Sequence, residues 1–330
     1  MHILVIGAAG MVGRKLTAAL VKSGRLGGKE ISAFTLADVI TPSGLEGFSG
    51  KVDTVAADLS TVGTAEKLVA SRPDVIFHLA AIVSGEAEKD FDKGYRINMD
   101  GTRYLLEAIR QEGIRNGAYV PRLVFTSSIA VFGAPFPEAI GDEYFTTPLT
   151  SYGTQKAICE LLLNDYSRKG FVDGVGIRLP TITVRPGKPN AAASGFFSNI
   201  LREPLAGQEA VLPVSKDVRH WFASPRAAVG FLVHAAEMDS SQLGWRRTVS
   251  APGLSATVGE EIEALRRVAG DKVAGLIKDV PDATIIKIVD GWPRNFDAKR
   301  ATALGFKAEG SMDEIIRIHI EDELGGKIGG

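Results

Sequence analysis

The chain has 330 residues, enough to bury a large core and to hold one to three domains. With 38 Lys plus Arg against 39 Asp plus Glu and a net charge of -1, it carries no electrostatic footprint for nucleic acid or an anionic membrane, so a small soluble partner is expected. The one cysteine, Cys159, excludes an internal disulfide and suits a reducing compartment, which makes the cytoplasm the expected location. No apolar run reaches the roughly 18 to 20 residues of a membrane span. "MHILVIG" runs straight into a Gly-rich turn without a basic n-region or cleavage site, so the fold is expected to begin at residue 1.

In chain order, the first half alternates short apolar runs with amphipathic ones. Strands are predicted at 2–7, 33–38, 51–58, 74–81, 122–128 and 174–180, and helices at 11–24, around 88–113 and at 151–170. Continuously apolar strands separated by helices are the pattern of a parallel sheet covered on both faces, hence an α/β, doubly wound Rossmann fold. After residue 180 the rhythm breaks. Residues 181–195, "TITVRPGKPNAAASG", read as a loop, a short helix follows near 196–207, and a helix near 224–238 returns to the sheet. The expected division is a dinucleotide-binding domain over 1–180, rejoined by 215–240, and a smaller, interleaved α+β substrate-binding portion from 181–214 and 241–330.

"VIGAAGMVG" sets Gly7, Gly10 and Gly13 three apart, directly after a strand and at the start of a helix. Gly7 permits the tight turn, Gly10 lets the backbone approach a pyrophosphate, Gly13 lets helix and sheet pack closely, and the helix N-terminus attracts the anion. Asp38 closes the second strand, where a carboxylate accepts hydrogen bonds from an adenosine ribose and repels a 2′-phosphate, which selects NAD over NADP. Arg14 and Lys15 read as solvated charges inside the first helix. Asp58, with Leu59, is either a contact to the adenine edge or an ordinary turn aspartate.

Five motifs in order then resemble the extended short-chain dehydrogenases/reductases, the family of sugar-nucleotide epimerases and related dehydrogenases. They are the Gly7, Gly10, Gly13 turn, "HLAA" (78–81), "NMDGT" (98–102), "FTSSIAVFG" (125–133) and "YGTQK" (152–156). The resemblance implies Tyr152 as the proton-transfer residue, Lys156 as its partner and Ser128, five positions before Gly133, as the polarising hydroxyl. It further implies cofactor contacts from Ala9, Met11 and Val12 in the turn, from Leu79, Ala80, Ala81, Asn98, Thr126 and Pro180, and from Tyr152 and Lys156 themselves. Family members commonly dimerise through two helices, one carrying the Tyr-x-x-x-Lys motif, so a homodimer is expected by analogy.

The chemistry calls for these residue types. An alcohol that yields a hydride to nicotinamide must also lose its proton, and a phenol with a pKa of about 10 is a poor base at neutral pH. Tyr152 and Lys156 share one helix face, and an ammonium there, together with the positive charge of oxidised nicotinamide, is expected to lower the phenol's pKa, while the ammonium also holds the nicotinamide ribose.

Over the whole chain the narrower likeness is to dehydrogenases that oxidise the C2 hydroxyl of a four-carbon sugar acid. A sugar acid asks for a cation and short hydroxyls. Arg185 and Lys188, with Thr181 and Thr183 before them and Ser194 and Asn199 after, offer these, and Ser84 falls at the family's substrate mouth. Arg219 stands where nucleotide-sugar relatives bind a diphosphate, yet His220 follows it instead of the usual Asp. His78 reads as packing or hydrogen-bonded rather than catalytic, and no cluster has metal-ligand spacing, so no metal is expected. Two rivals stay open, a nucleotide-sugar 4-epimerase or uronate dehydrogenase of the same family and a non-catalytic dinucleotide sensor.

Overall fold

In a computed structural model, which describes residues 1–187 and 193–329, the chain divides into two compact units. The first comprises Met1–Val131, Thr150–Arg178 and Val229–Ser250, and the second comprises Phe132–Leu149, Leu179–Ala228 and Ala251–Gly330.

The first unit is built on a seven-stranded parallel sheet of β1 (His2–Ile6), β2 (Ala33–Asp38), β3 (Lys51–Ala56), β4 (Val75–His78), β5 (Arg122–Ser128), β6 (Asp173–Leu179) and β7 (Thr248–Ser250). The spatial order is β7-β6-β5-β4-β1-β2-β3. The chain starts in the centre, runs outward through β2 and β3, and returns on the other side of β1 at β4. The registers Ile6↔Ala37 and Ile6↔His78 therefore place the ends of β2 and β4 on either side of the end of β1. Such a reversal leaves a crevice at the carboxyl ends of the strands, where ligands of doubly wound sheets bind.

Strand β1 is apolar at every position from Ile3 to Ile6, all essentially unexposed, because helices cover both faces. Helix α1 (Met11–Ser23) buries Leu16 and Leu20, one turn apart, and stops at Gly24, whose left-handed φ of 64° lets its amide cap Leu20 and Val21. Helices α2 (Gly101–Arg115) and α3 (Ser151–Arg168) present Leu105, Ile109, Cys159 and Leu163 to the core beneath β4 and β5.

The helix expected over 88–113 is in pieces, Ser84–Lys89, Phe91–Gly94, a π-helical turn Tyr95–Asp100 and α2. The widened turn carries Asn98 inward, and no residue pattern in "YRINMD" announces it.

In the second unit, Arg219–Ala223 pairs with Thr181–Ile182 on one side and with Leu254–Thr257 on the other. Helices Gly195–Leu205, Val258–Ala269 and Met312–Leu324 enclose a core of Phe197, Leu201, Ile262, Leu265 and Ile316. The expected loop over 181–195 thus begins with a short strand, formed because its partner lies some forty residues onward. Residues 132–149, expected in the first domain, group with the second unit, where Ile140 pairs with Phe296. Residues 241–250, expected in the second portion, group with the first, since Thr248–Ser250 pairs with Gly176–Arg178. Among the described residues no helix is long and apolar enough to cross a membrane.

At Gly13 α1 packs tightly on the turn after β1, for a Cβ there would lie 2.2 Å from the Gly7 carbonyl oxygen and 2.8 Å from Ala8 Cα. Both neighbours are backbone and cannot swing aside. Gly13→Ala is expected to lower the unfolding free energy by about 1–3 kcal/mol in urea titrations, and an unchanged midpoint would contradict this packing.

Candidate active site

The turn between β1 and α1 fits a dinucleotide pyrophosphate. Gly7 has a φ of 95°, and a Cβ on it would stand 2.7 Å from the Ala80 amide nitrogen, so only glycine lets this turn lie against residues 79–80. Gly10 is exposed at the N-cap of α1, no side chain caps the helix, and the first turn holds no acidic residue. The helix-start amides at Met11, Val12 and Gly13 lack intrahelical acceptors and carry the positive end of the dipole, the setting an anion requires. Arg14 is exposed, as expected, and donates from Nη1 to the Ala9 carbonyl at 2.5 Å.

At the end of β2, Asp38 Oδ2 accepts from the Ala9 amide at 2.9 Å and Oδ1 from the Val39 amide at 2.7 Å. A carboxylate has about four acceptor sites, so this one locks the turn and retains capacity for a ribose diol. Asp58 behaves as a turn aspartate, with Oδ1 accepting from both the amide and hydroxyl of Ser60 at 2.9 and 2.6 Å. Leu59 is buried beneath Gly101.

Asn98 is 1% exposed. Its Oδ1 accepts from the Ile82 amide at 2.9 Å and its Nδ2 donates to Gln155 Oε1 at 2.8 Å, so it braces the segment after β4, which holds Leu79, Ala80 and Ala81, against α3. Thr102 donates to the Asn98 carbonyl at 2.8 Å, which leaves its oxygen to accept from His78 Nε2 at 2.9 Å. Burial and the Lys156 charge push His78 down to about 3, so the imidazole is neutral and structural. Ser84 heads the helix Ser84–Lys89, which is tied to the start of α3 by Glu88 Oε2 accepting from the Ser151 amide at 2.9 Å.

Three expected side chains do meet at the end of β5. Thr150 caps α3 by accepting from the Gly153 amide, which sets Tyr152 and Lys156 in the first two turns. The Ser128 hydroxyl, which accepts from the Ala130 amide at 3.1 Å, is near enough to the Tyr152 phenol to favour its ionised form. Lys156 is 2% exposed; its Nζ donates to the Thr126 carbonyl at 2.8 Å and sits 4.8 Å from the Phe125 ring centre and 5.8 Å from that of Tyr152. Thr126 in turn donates from Oγ1 to the His78 carbonyl at 3.1 Å, binding β5 to β4.

The expected lowering of the Tyr152 pKa by Lys156 is absent in this state. Desolvation pushes the phenol up to about 12, opposed only by the Ser128 hydroxyl. The ammonium is itself desolvated and drawn down to about 8, with Cys159 and Glu160 opposing, and it is turned to Thr126 rather than to the phenol oxygen. Below these three lies a network that sequence reasoning missed. Ser127 donates to Glu160 Oε1 at 2.5 Å, and Arg178 donates to both Glu160 oxygens at 2.9 and 2.7 Å.

In the second unit, buried Pro180 precedes Thr181, whose hydroxyl lies 2.6 Å from His220 Nε2. His220 stacks on Phe197 with ring centres 5.0 Å apart. The Arg185 guanidinium donates to Ser194 at 3.2 Å and, among the described residues, makes no ion pair; burial and neighbouring Arg202 both disfavour its charge. Arg219 lines a cavity of about 780 Å³ with Arg294, Glu138 and Asp290, and is engaged by Glu260 and the Ser255 carbonyl. Lys188 lies outside the described residues. Among those residues no three His, Cys, Asp or Glu side chains group as ligands for a metal ion.

A glycine turn at a sheet's switch point, a carboxylate at the end of the second strand and a Ser, Tyr and Lys at the end of β5 define an NAD-dependent oxidoreductase, and comparison with known proteins agrees. Residues 3–242 match the model of the NAD dependent epimerase/dehydratase family, and the chain belongs to that family, the extended short-chain dehydrogenases/reductases. It is similar to D-erythronate dehydrogenase of Cupriavidus necator, 48% identical over 98% of each chain, and to D-erythronate dehydrogenase of Haemophilus influenzae, 42% identical over 98% of this chain and all of the relative. A crystal structure described as a nucleoside-diphosphate-sugar epimerase from Agrobacterium tumefaciens superposes with a TM-score of 0.97 at 70% identity, covering 99% of this chain and 95% of that one.

Asp38→Ala removes both the brace on Ala9 and the charge that repels a 2′-phosphate. NAD affinity is expected to fall about 10- to 100-fold, in line with the loss of a charge-assisted bond, while NADP gains relative to NAD. Calorimetric titration with both cofactors checks this, and an unchanged preference would contradict the assignment.

Proposed function

We propose that the protein oxidises the C2 hydroxyl of a small sugar acid, and that the acid is D-erythronate, converted to 2-dehydro-D-erythronate. The observation that carries the reaction type is the convergence of Ser128, Tyr152 and Lys156 at the end of β5. The choice of acid is supported by the nearly full-length likeness to two proteins named D-erythronate dehydrogenase.

In this reading Gly7, Ala9, Gly10, Met11, Val12 and Gly13 bind the pyrophosphate, and Asp38 the adenosine ribose. Asp58 and Leu59 flank the adenine, while Leu79, Ala80, Ala81, Thr126 and Pro180 border the nicotinamide side, with Asn98 bracing them. Bound NAD would accept the hydride and bring a positive charge. Ser128 holds the reacting oxygen, and Tyr152 takes the alcohol proton at its Oη. With the phenol at about 12 in the free protein, Tyr152 serves as base only where positive charge accumulates beside it, and Lys156 supplies the fixed part of that charge.

Arg185 is our candidate for the substrate carboxylate, since a half-buried guanidinium without an ion pair among the described residues awaits an anion. Ser84, Thr181, Lys188 and Arg219 are proposed as further substrate contacts. The buried lone cysteine supports a reducing compartment such as the cytoplasm. Exposed Leu161 on α3 supports a homodimer through that helix.

The test is NADH formation across C4 to C6 aldonic and uronic acids. D-Erythronate is expected to give the highest kcat/KM, and no signal with any acid would overturn the reading. Tyr152→Phe is expected to reduce kcat by about 10²- to 10⁴-fold, and Arg185→Ala to raise KM for the acid by at least about tenfold with KM for NAD unchanged. A second reading, a nucleotide-sugar epimerase, is favoured by the description of the 70% identical structure. Turnover of UDP-glucose without added NAD would select it.

A further inference from the structure

Ser127 lies between Thr126, whose carbonyl receives Lys156, and Ser128, whose hydroxyl meets Tyr152, yet its own side chain points to the other side of the strand. There its hydroxyl donates to Glu160, which stands one turn beyond Lys156 on the same helix. Glu160 is 4% exposed and its two oxygens are held by Arg178 at 2.9 and 2.7 Å, an in-plane fork from neighbouring strand β6. One carboxylate thus fastens three elements: the end of β5, the catalytic helix and β6.

We propose that Glu160 is a positioning residue of the proton-transfer site, which through Ser127 and Arg178 fixes the end of β5 against α3 and so sets the spacing of Ser128, Tyr152 and Lys156. The inference rests on the reading of those three as the reacting group. The physical reason is the short reach of the arrangement. Ser128 and the Thr126 carbonyl belong to one strand end, and a sideways shift of that strand by a fraction of an ångström moves both relative to Tyr152 and Lys156 on α3. A hydrogen bond from the intervening residue to the same helix blocks that shift. Glu160 also favours the charged form of Lys156, which burial disfavours; the other titratable groups around Lys156 are Cys159 and Tyr152 on its helix and neutral His78 from β4.

Ser127→Ala deletes one link and leaves the Glu160–Arg178 pair intact, so it keeps the fold. With NAD and D-erythronate it is expected to lower kcat by about tenfold, part of what full misplacement costs, with the NAD dissociation constant in calorimetry within about twofold of wild type. Glu160→Gln is expected to show the same loss and, having lost the attraction that keeps Lys156 protonated, an alkaline limb of kcat displaced to lower pH. If Glu160→Gln does not fold because Arg178 is left unpaired, Ser127→Ala decides alone. Folded variants with kcat within about twofold of wild type and an unmoved alkaline limb overturn the proposal. Wild-type turnover in Tyr152→Phe overturns the reading beneath it instead.

Discussion

A lysine ammonium enclosed in a protein interior is unfavourable by several kcal/mol unless its surroundings replace water. Lys156 is in that position, and the first unit is arranged around keeping it there. The Thr126 carbonyl accepts one of its protons, the Phe125 ring offers a π face, and Glu160 opposes the loss of its charge. Each of those partners has a second duty. Thr126 ties β5 to β4, Phe125 belongs to the core under the sheet, and Glu160 pins β5 and β6 to α3. The contacts that keep the Lys156 charge and those that hold the strands and α3 together are therefore the same set.

The rest of the site follows from where β5 sits in the sheet. With β4 beside β1 and β5 beside β4, all parallel, the turn after β1, the segment after β4 and the end of β5 all emerge at one edge. Close approach of the first two is possible only because Gly7 lacks a side chain. Asn98, delivered by the π-helical turn, joins the segment after β4 to Gln155 of α3. Burial among these groups raises the Tyr152 phenol to about 12, so the proposed role as base calls for positive charge beside it.

Much of this was legible in the sequence, and the limit is physical. The Gly7–Gly10–Gly13 turn and the Tyr152–Lys156 pair are local patterns, set by chain geometry within a few residues, so their spacing, read in context and with the family resemblance, located them. Ser127–Glu160–Arg178, the Ile140–Phe296 pairing and the strand at 181–182 join residues tens of positions apart, and no local pattern encodes which partner each will find. The π-helical turn has no residue signature. The spacing of Tyr152 and Lys156 is visible in a sequence, whereas the burial of the phenol, which raises its pKa, and the orientation of Lys156 toward Thr126 are tertiary facts.

Lys156 is held in a desolvated pocket rather than at a solvated helix face. Nitrogen-15 labelling of the lysines, with Lys156→Met to assign the Nζ signal, allows the group to be titrated directly in the free protein. A midpoint near 8 is expected, against the ordinary 10.5. Titration at 10.5 would mean that the ammonium is in contact with water, and the linkage drawn here between burial, strand position and proton transfer would be contradicted.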